Sequence, residues 1–264
     1  MPPHVTLCPY QSQLTSQRMT VGERMVSCDG WFPALVVTAI FAKCLIVLFH
    51  ARKKAFFTQS LVELAVRVLS DELPAEVDAL YAFCQTESNE RAPLEKLGEL
   101  SEIHSQALIL ISGEDGSRNC GWAGHKHFGE KLRSVGIPST RRVLVPFPHT
   151  EHQINTLNES MALVQFCHTN QVGRIIVISP PFHQLRCVLS VLSCISRSAH
   201  GRKIDVYSSP AASHSWHEEV FHSQGKLQGT RASMVRSEID RLWKYHLKGD
   251  LMHPLSALRM LNDR

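Results

Sequence analysis

The feature that most constrains the fold of this chain is a regular alternation of short apolar runs with longer helical stretches after Phe56. The apolar runs are nearly continuous, which is typical of parallel strands that are covered on both faces. They are Val77–Phe83, Ala107–Ile111, Arg142–Phe147, Arg174–Ser179 and Lys203–Tyr207. Helical stretches lie between them, at about 91–104, 123–135, 154–170 and 182–197.

Strands that alternate with helices form right-handed βαβ units, whose helices cover both faces of one sheet. We therefore predict a three-layer α/β/α sandwich with a mainly parallel five-stranded sheet, in the strand order 3-2-1-4-5. Residues 58–70 have the apolar spacing of a helix. Residues 218–262 predict a long amphipathic helix, a break at Gly249-Asp250 and a short last helix. A content of 44% hydrophobic and 20% charged residues is ordinary for a globular chain.

The composition changes near residue 55, which predicts an N-terminal extension (1–54) and an α/β domain (55–264). The extension holds an apolar segment at 31–49, followed by the basic residues Arg52, Lys53 and Lys54. Such a segment is just long enough to span a bilayer, although Lys43 near its centre costs about 2.5 to 3.5 kcal/mol on insertion. Three interpretations stay open: an inner-membrane anchor, a hydrophobic helix packed on the domain, and upstream sequence foreign to the native product. Without an anchor, the expected location is the cytoplasm.

Charge and cysteine spacing narrow the classes of function. The net charge is +4, and the 28 basic residues are scattered, not arranged in a stripe, which argues against nucleic acid as a partner. Eight cysteines without a C-x-x-C pair predict reduced, mostly structural thiols. The sequence has no P-loop, no glycine-rich dinucleotide motif after the first strand and no G-x-S-x-G elbow. Its histidines form no tight ligand set such as H-E-x-x-H, so no metal site is predicted.

Polar residues are concentrated in the segments that follow the predicted strands, at 84–91, 112–119, 148–159, 179–186 and 208–217. Ligands of such sheets bind outside the carboxyl ends of the strands. Asn155 and Thr156 stand where a helix begins; either could cap it, with Glu159 completing a capping box, or they could clamp a ligand. His183 and Arg186 lie on one face of the next helix, where an imidazole and a guanidinium could hold an anion.

Three of these segments resemble, in order and spacing, the DUF218 family, also called YdcF-like. The motifs are ISGEDG, INTLNES and VISPPFHQLR, and the resemblance covers roughly residues 75–210. The residues that match the family pattern are Ser112, Gly113, Asn155, Thr156, Glu159, Ser179, His183 and Arg186. Glu114 departs from the pattern, which usually has a second glycine there, and this puts a close backbone approach to a ligand in doubt.

The resemblance implies a Rossmann-like fold and a ligand site, but no particular reaction. Some members of the family carry a membrane segment and are linked to envelope functions. One binds S-adenosylmethionine, which is therefore a cofactor candidate by resemblance only. Oligomeric state is not predictable from these patterns.

Two functions of different classes stay open. The first is an enzyme acting on an anionic small molecule, such as a phosphate- or nucleotide-bearing compound of envelope metabolism. The second is a non-catalytic ligand-binding or regulatory module that uses the same pocket. The expected catalytic residues of the enzyme are His183 and Glu159, and the expected ligand-binding residues are Ser112, Gly113, Asn155, Thr156, Ser179 and Arg186.

Overall fold

A computed structural model of the 264-residue chain describes residues 31–113, 116, 121–147, 154–199, 203–211, 215–223 and 225–264, with residues 31–40 by their backbone alone. The chain divides into two compact units, with the boundary between Phe49 and His50. The first helix, α1 (Trp31–Leu69), runs through residue 55, where the composition changes. Within the described ranges, no helix combines the length and the apolar character that crossing a bilayer requires.

The unit formed by residues 50–264 contains a five-stranded sheet in which every strand is parallel to its neighbours. The strand order is 3-2-1-4-5, so the predicted fold class and order are confirmed. The strands are β1 (Ala79–Ala82), β2 (Leu108–Ser112), β3 (Arg142–Val145), β4 (Arg174–Ser179) and β5 (Asp205–Pro210).

Helices cover both faces of this sheet, as predicted. They are α2 (Glu87–Ile103), α3 (Gly124–Ser134), α4 (Thr156–Thr169), α5 (Pro181–Arg197), α6 (Arg231–Leu247) and α7 (Pro254–Asn262). Successive strand residues point to opposite faces. Tyr81 and Leu110 therefore belong to the core under α4 and α5, whereas Leu80 and Ile109 belong to the core under α2 and α3.

A β-hairpin precedes α6, in a region where we predicted helix. Its strands, β6 (Glu219–His222) and β7 (Leu227–Thr230), pair antiparallel. The predicted helix from residue 218 is therefore wrong for residues 218–230. Val220 and His222 are buried while Glu219 and Phe221 are exposed, which is the two-residue period of a strand.

The start of α6 is set by Thr230, whose side-chain oxygen accepts a hydrogen bond from the amide of Ser233. A threonine in this position caps the helix and separates it from the hairpin. At the other end of α6, Gly249 has a φ of +79°. A left-handed glycine is a common end of a helix, so the predicted break and the short last helix are both present.

Four of the described cysteines are free thiols: Cys44 is exposed, and Cys167, Cys187 and Cys194 are buried. Burial raises the pKa of Cys167 to about 12 and that of Cys194 to about 11. Such thiols stay protonated at neutral pH and pack as small apolar groups. Cys8, Cys28 and Cys120 lie outside the described residues.

Candidate functional site

A cavity of about 240 Å³ lies beyond the carboxyl ends of β1, β3 and β4. Five of the eight predicted site residues line it: Asn155, Thr156, Glu159, His183 and Arg186. The remaining walls come from the segments after β1 and β2, from the hairpin and from α6. The topology of the sheet therefore brings together two of the three sequence motifs.

The other three predicted residues, Ser112, Gly113 and Ser179, are not among the described residues that line this cavity. Ser112 and Ser179 are buried at the ends of β2 and β4. The amide of Gly113 donates to the carbonyl oxygen of Val145 over 2.8 Å. A Cβ at Gly113 would lie 2.7 Å from that oxygen, so this glycine permits the close approach of two chain segments. Glu114, the departure from the family pattern, lies outside the described residues.

Arg186 forms a buried ion pair that the sequence did not predict. Its Nε lies 2.5 Å from Oε2 of Glu238 on α6, and its Nη2 lies 3.1 Å from Oε1. The side chains of Arg186 and Glu238 are only 8% and 3% exposed. His222 of the hairpin places Nε2 2.9 Å from Oε1 of the same carboxylate. Arg186 is thus held by a protein carboxylate, and its predicted role of binding an anionic ligand stays a prediction.

The environment of Glu238 keeps it ionised. Burial by itself would raise its pKa, but the charge of Arg186 and the hydrogen bond with His222 hold the pKa of Glu238 well below its ordinary value of 4.5. Burial and the nearby Arg186 also act on His222, whose pKa is lowered despite its carboxylate partner. At neutral pH this cluster therefore contains a guanidinium, a carboxylate and a neutral imidazole.

The hydrogen bonds of His183 define its tautomer. Nε2 of the Gln85 amide lies 3.1 Å from Nδ1 of His183 and 3.3 Å from the carbonyl oxygen of Phe83. The amide nitrogen thus donates to Nδ1, which leaves the ring proton on Nε2 of His183. That nitrogen lies 3.3 Å from Oγ1 of Thr156 and donates to it. Burial, together with the charge of Arg186, keeps the pKa of His183 well below 6.5, so the ring is neutral at pH 7.

The side chain of Thr156 connects His183 with Arg186 through hydrogen bonds. Its Oγ1 accepts from Nε2 of His183 and also from Nη1 of Arg186. A hydroxyl oxygen has two lone pairs and one proton to donate. With both lone pairs engaged, the hydroxyl proton of Thr156 remains for an acceptor placed in the cavity.

Glu159 is buried, and none of the described cations lies in hydrogen-bond contact with it. Its Oε1 accepts from the hydroxyl of Tyr81 over 2.8 Å and from the amide of Cys84 over 2.7 Å. Burial raises the pKa of Glu159 to about 7, although these two hydrogen bonds act in the opposite direction. The carboxyl group is therefore close to half protonated at neutral pH. Such a group can both accept and release a proton under those conditions.

The N-terminus of α4 is capped by Asn155, which resolves one of the alternatives left open by the sequence. Oδ1 of Asn155 accepts from the amides of Leu157 and Asn158, each over 3.0 Å. The carboxylate of Glu159 accepts hydrogen bonds from Tyr81 and Cys84, so it does not complete a capping box.

Two further basic residues belong to the described lining of the cavity. Arg241 and Lys226 line it together with Arg186. Arg241 hydrogen-bonds to Oγ of Ser223 and lies 3.4 Å from Oε1 of Glu238. Glu238 contacts Arg186 and Arg241, and Glu159 is the only acidic residue among the described residues that line the cavity. An anionic ligand is complementary to such a lining.

One cluster in the site has the composition of a metal centre. His183, His222 and Glu238 are all buried, and their potential ligand atoms lie within 4.8 Å of one another. However, both oxygens of Glu238 already accept hydrogen bonds from Arg186. A metal ion in this cluster would stand next to a fixed positive charge, which opposes its binding. The donor set fits a charge-paired network better than a metal centre.

Sequence reasoning missed the residues that hold the predicted ones in place, chiefly Gln85, His222 and Glu238. A signal for Glu238 does exist. Met234, Glu238 and Leu242 are spaced by four, and all three are buried. A carboxylate in the apolar stripe of a helix needs a buried partner, and here that partner is Arg186.

No family model, no curated protein and no solved structure matches this chain. The resemblance to DUF218 therefore stays a prediction from the three motifs.

Proposed function

We propose that this chain is an enzyme that acts on a small anionic molecule, with Glu159 as the group that transfers a proton. The observation that carries the proposal is a buried carboxyl group that lines the cavity and accepts hydrogen bonds from Tyr81 and Cys84, an environment in which its pKa is raised to about 7. General acid–base catalysis is most effective when the pKa of the group lies near the working pH. Two carboxyl groups whose environments shift their pKa values in opposite directions, as Glu159 and Glu238 do, also recur in active sites.

An anionic ligand is supported by two features of the lining. Arg186, Arg241 and Lys226 supply positive charge, and the hydroxyl of Thr156 has a proton left to donate. Among the described residues, no acceptor lies within hydrogen-bond distance of that proton. A phosphoryl or carboxylate oxygen of the ligand would accept it.

The sequence suggests that His183 is a catalytic residue, and we propose a different role for it. Its ring is neutral and donates to Thr156, so it is poorly suited to act as an acid at neutral pH. We propose that His183 is a positioning residue, which orients the hydroxyl of Thr156 toward the ligand. Asn155 and Arg186 border the same ligand, while binding by Ser112, Gly113 or Ser179 stays a prediction from the motifs.

Three further expectations come from the resemblance alone and remain proposals: membership of the DUF218 family, S-adenosylmethionine as a ligand and a link to envelope metabolism. The cavity has no feature that selects among them. Membrane attachment through residues 31–49 has no support from a spanning helix in the described ranges.

The proposal is tested by incubating the protein with a mixture of small phosphate esters and carboxylates, followed by ³¹P and ¹H NMR. We expect at least one compound to be converted, and we expect Glu159→Gln to slow that conversion about 100-fold or more. The matched control is Glu99→Gln, which changes an exposed carboxylate on α2 and should leave the rate unchanged.

Thermal protection separates catalysis from binding in the same samples. Glu159→Gln should still be stabilised by the converted compound, because the cations and Thr156 remain. If the wild-type protein is protected but converts nothing, the alternative function, a non-catalytic binding module, is the correct one.

A further inference from the structure

The cavity contains a thiol that the proposed function does not use. Cys84 lies two residues beyond the end of β1, lines the cavity and is half-buried. In the sheet, β1 stands between β2 and β4, so the chain order reverses at this strand. Such a switch point is where α/β sheets bind their ligands. Among the described cysteines, only Cys84 belongs to the lining of this cavity.

Cys84 contacts the proposed acid–base group through both its backbone and its side chain. Its amide donates to Oε1 of Glu159 over 2.7 Å, and its thiol hydrogen-bonds to the same carboxyl group. The hydroxyl of Tyr81 on β1 also donates to Oε1, which holds the carboxyl group at the end of that strand. A thiol becomes a strong nucleophile when an adjacent base removes its proton. Cys84 and Glu159 therefore have the arrangement of a nucleophile and its general base.

Thr156 supplies a donor on the same wall of the cavity. It precedes Glu159 by three residues on α4, so the two side chains share one face of that helix. Thr156 is 8% exposed, and among the described residues no acceptor lies within hydrogen-bond distance of its hydroxyl proton. Attack on a carbonyl carbon places a negative charge on the carbonyl oxygen, which a fixed donor stabilises. An acyl carbonyl bound between Cys84 and Thr156 would use both groups.

The charges favour an acyl group over a phosphoryl group as the point of attack. In phosphoryl transfer, negative charge spreads over three equatorial oxygens, and enzymes neutralise it with metal ions or cationic side chains. Arg186, which donates to Thr156, is already paired with the carboxylate of Glu238. A carbonyl oxygen requires only a hydrogen-bond donor, and the hydroxyl of Thr156 is one.

We propose that Cys84 is the nucleophile of an acyl-transfer reaction in this cavity, with Glu159 as its base and Thr156 as the donor to the carbonyl oxygen. This inference rests on the proposed function, since it names the reaction for which Glu159 transfers the proton. The ligand is then a small anionic molecule that carries an ester, a thioester or an acyl phosphate.

Each step of this reaction leaves the proton with a named group. The sulfur of Cys84 forms a bond to the carbonyl carbon while the thiol proton passes to Glu159. The bond from that carbon to the leaving group breaks, and Glu159 returns the proton to the leaving group. Water, activated by Glu159, then releases the acyl group as a carboxylic acid and restores the thiol. Burial raises the pKa of Glu159 to about 7, which suits both directions of the proton transfer at neutral pH.

The test incubates the full chain with two small anionic acyl donors, acetyl phosphate and the mono-p-nitrophenyl ester of succinate, in ¹⁸O-labelled water. For at least one donor we expect mass spectrometry of an acid-quenched digest to find the acyl group on Cys84. With acetyl phosphate, the ¹⁸O should enter acetate and not phosphate. Cys84→Ala should slow release of the acid about 100-fold or more. The matched control, Cys44→Ala, removes an exposed thiol on α1 and should leave the rate unchanged.

Two substitutions of Thr156 test the donor to the carbonyl oxygen. Thr156→Val keeps the shape of the side chain but removes the hydroxyl, and it should slow acylation of Cys84 about 100-fold. Thr156→Ser restores a hydroxyl and should restore the rate. A slow Thr156→Ser variant would show that the hydroxyl does not act as this donor.

The outcomes distinguish this inference from the proposed function. If Cys84→Ala releases the acid as fast as wild type, or if ¹⁸O enters phosphate in a reaction that needs Glu159, the thiol is not the nucleophile and the proposed function stands. The same holds if neither donor reacts while another anionic compound is converted by wild type and not by Glu159→Gln. If Glu159→Gln acylates Cys84 as fast as wild type, or if wild type converts no compound at all, both proposals fail.

Discussion

The cavity has two walls, and each holds a buried carboxylate in a different state. On the β1–α4 wall, Glu159 is 4% exposed and has two neutral hydrogen-bond donors. On the α5–α6 wall, Glu238 is 3% exposed and is paired with Arg186. Burial is nearly the same for both, yet the pKa of Glu159 rises to about 7 and that of Glu238 falls well below 4.5.

The hydrogen-bond partner, and not the depth of burial, decides whether each of the two carboxyl groups is charged. Desolvation disfavours the ionised form of any buried carboxyl, and a cation in contact reverses that effect. The α5–α6 wall thereby gains a permanent anion that holds Arg186 and His222. The β1–α4 wall keeps a carboxyl group that can exchange its proton near pH 7.

Removal of Arg186 should have the largest effect of any change in the site. Arg186→Ala removes the main partner of the buried Glu238 carboxylate and leaves it with His222 and the longer contact to Arg241, which costs about 3–5 kcal/mol of folding free energy. A residue that served only to bind a ligand would leave the melting temperature nearly unchanged when replaced, and the ion pair predicts the opposite for Arg186. Urea denaturation at pH 7 measures the loss. The control is Arg91→Ala, which breaks an exposed pair with Glu95 and should cost about 0–1 kcal/mol.

A double variant sharpens this prediction. Arg186→Met/Glu238→Leu replaces both charges by apolar side chains of similar size, which removes the buried carboxylate that has lost its main partner. It should be more stable than Arg186→Ala by about 1 kcal/mol or more. Equal stability of Arg186→Ala and Arg91→Ala would show that His222 and Arg241 compensate the charge of Glu238 without Arg186.

The pH dependence of stability should distinguish the two carboxylates. The pKa of Glu159 is about 7 in the folded state, against 4.5 as its ordinary value. The folded chain therefore binds an extra proton between these values. The stability due to protonated Glu159 is complete below about pH 4.5 and is lost as the pH rises through about 7. At about 1.4 kcal/mol for each pH unit between the two values, the loss is about 3 kcal/mol.

Glu159→Gln removes the titration of Glu159. The difference in stability between the wild type and this variant therefore separates the contribution of Glu159 from those of the other titrating groups. The lowered pKa values of His183 and His222 make the folded state more stable as the pH rises toward 6.5, opposite to Glu159. The stabilisation from Glu238 is lost only as the pH falls through its depressed pKa, below 4.5. The stability of wild type minus that of Glu159→Gln should therefore fall by about 3 kcal/mol between about pH 4.5 and 7.5. A flat difference would remove the support for Glu159 as an acid–base group.

The sheet could be predicted from the sequence because its strands are buried on both faces and carry an apolar signal. That signal fails where backbone pairing continues without apolar side chains. β5 was predicted to end at Tyr207, but Ser208 and Ser209 continue it by pairing with Val177 and Ile178 of β4. The hairpin was missed for a related reason, since its strands are four residues long and the helical pattern of α6 follows at once.

The site was predictable only where the chain order places residues after strands. His183 and Arg186 follow β4, and Asn155 to Glu159 lie beyond β3, so the sheet brings them together. Glu238, which contacts Arg186, does not follow a strand of the five-stranded sheet, so the chain order does not indicate it. Arg186 and Glu238 are 52 positions apart, and their pairing depends on how α6 packs against α5. A charged residue inside an apolar stripe indicates a buried partner but not which one it is.

The smallest expected effect concerns Asn155, which lines the cavity on the β1–α4 wall and also caps α4. Asn155→Ala removes the oxygen that accepts from the amides of Leu157 and Asn158, which should cost about 1 kcal/mol of stability in urea denaturation. Because that oxygen is engaged by the helix, the affinity for inorganic phosphate should change little. Asn155→Asp keeps the cap, since aspartate is an equally good N-cap residue, but it adds a negative charge beside the anionic site. It should therefore retain stability and weaken phosphate binding. The opposite result for Asn155→Ala, weaker phosphate binding with unchanged stability, would make Asn155 a ligand-binding residue and leave α4 without a side-chain cap.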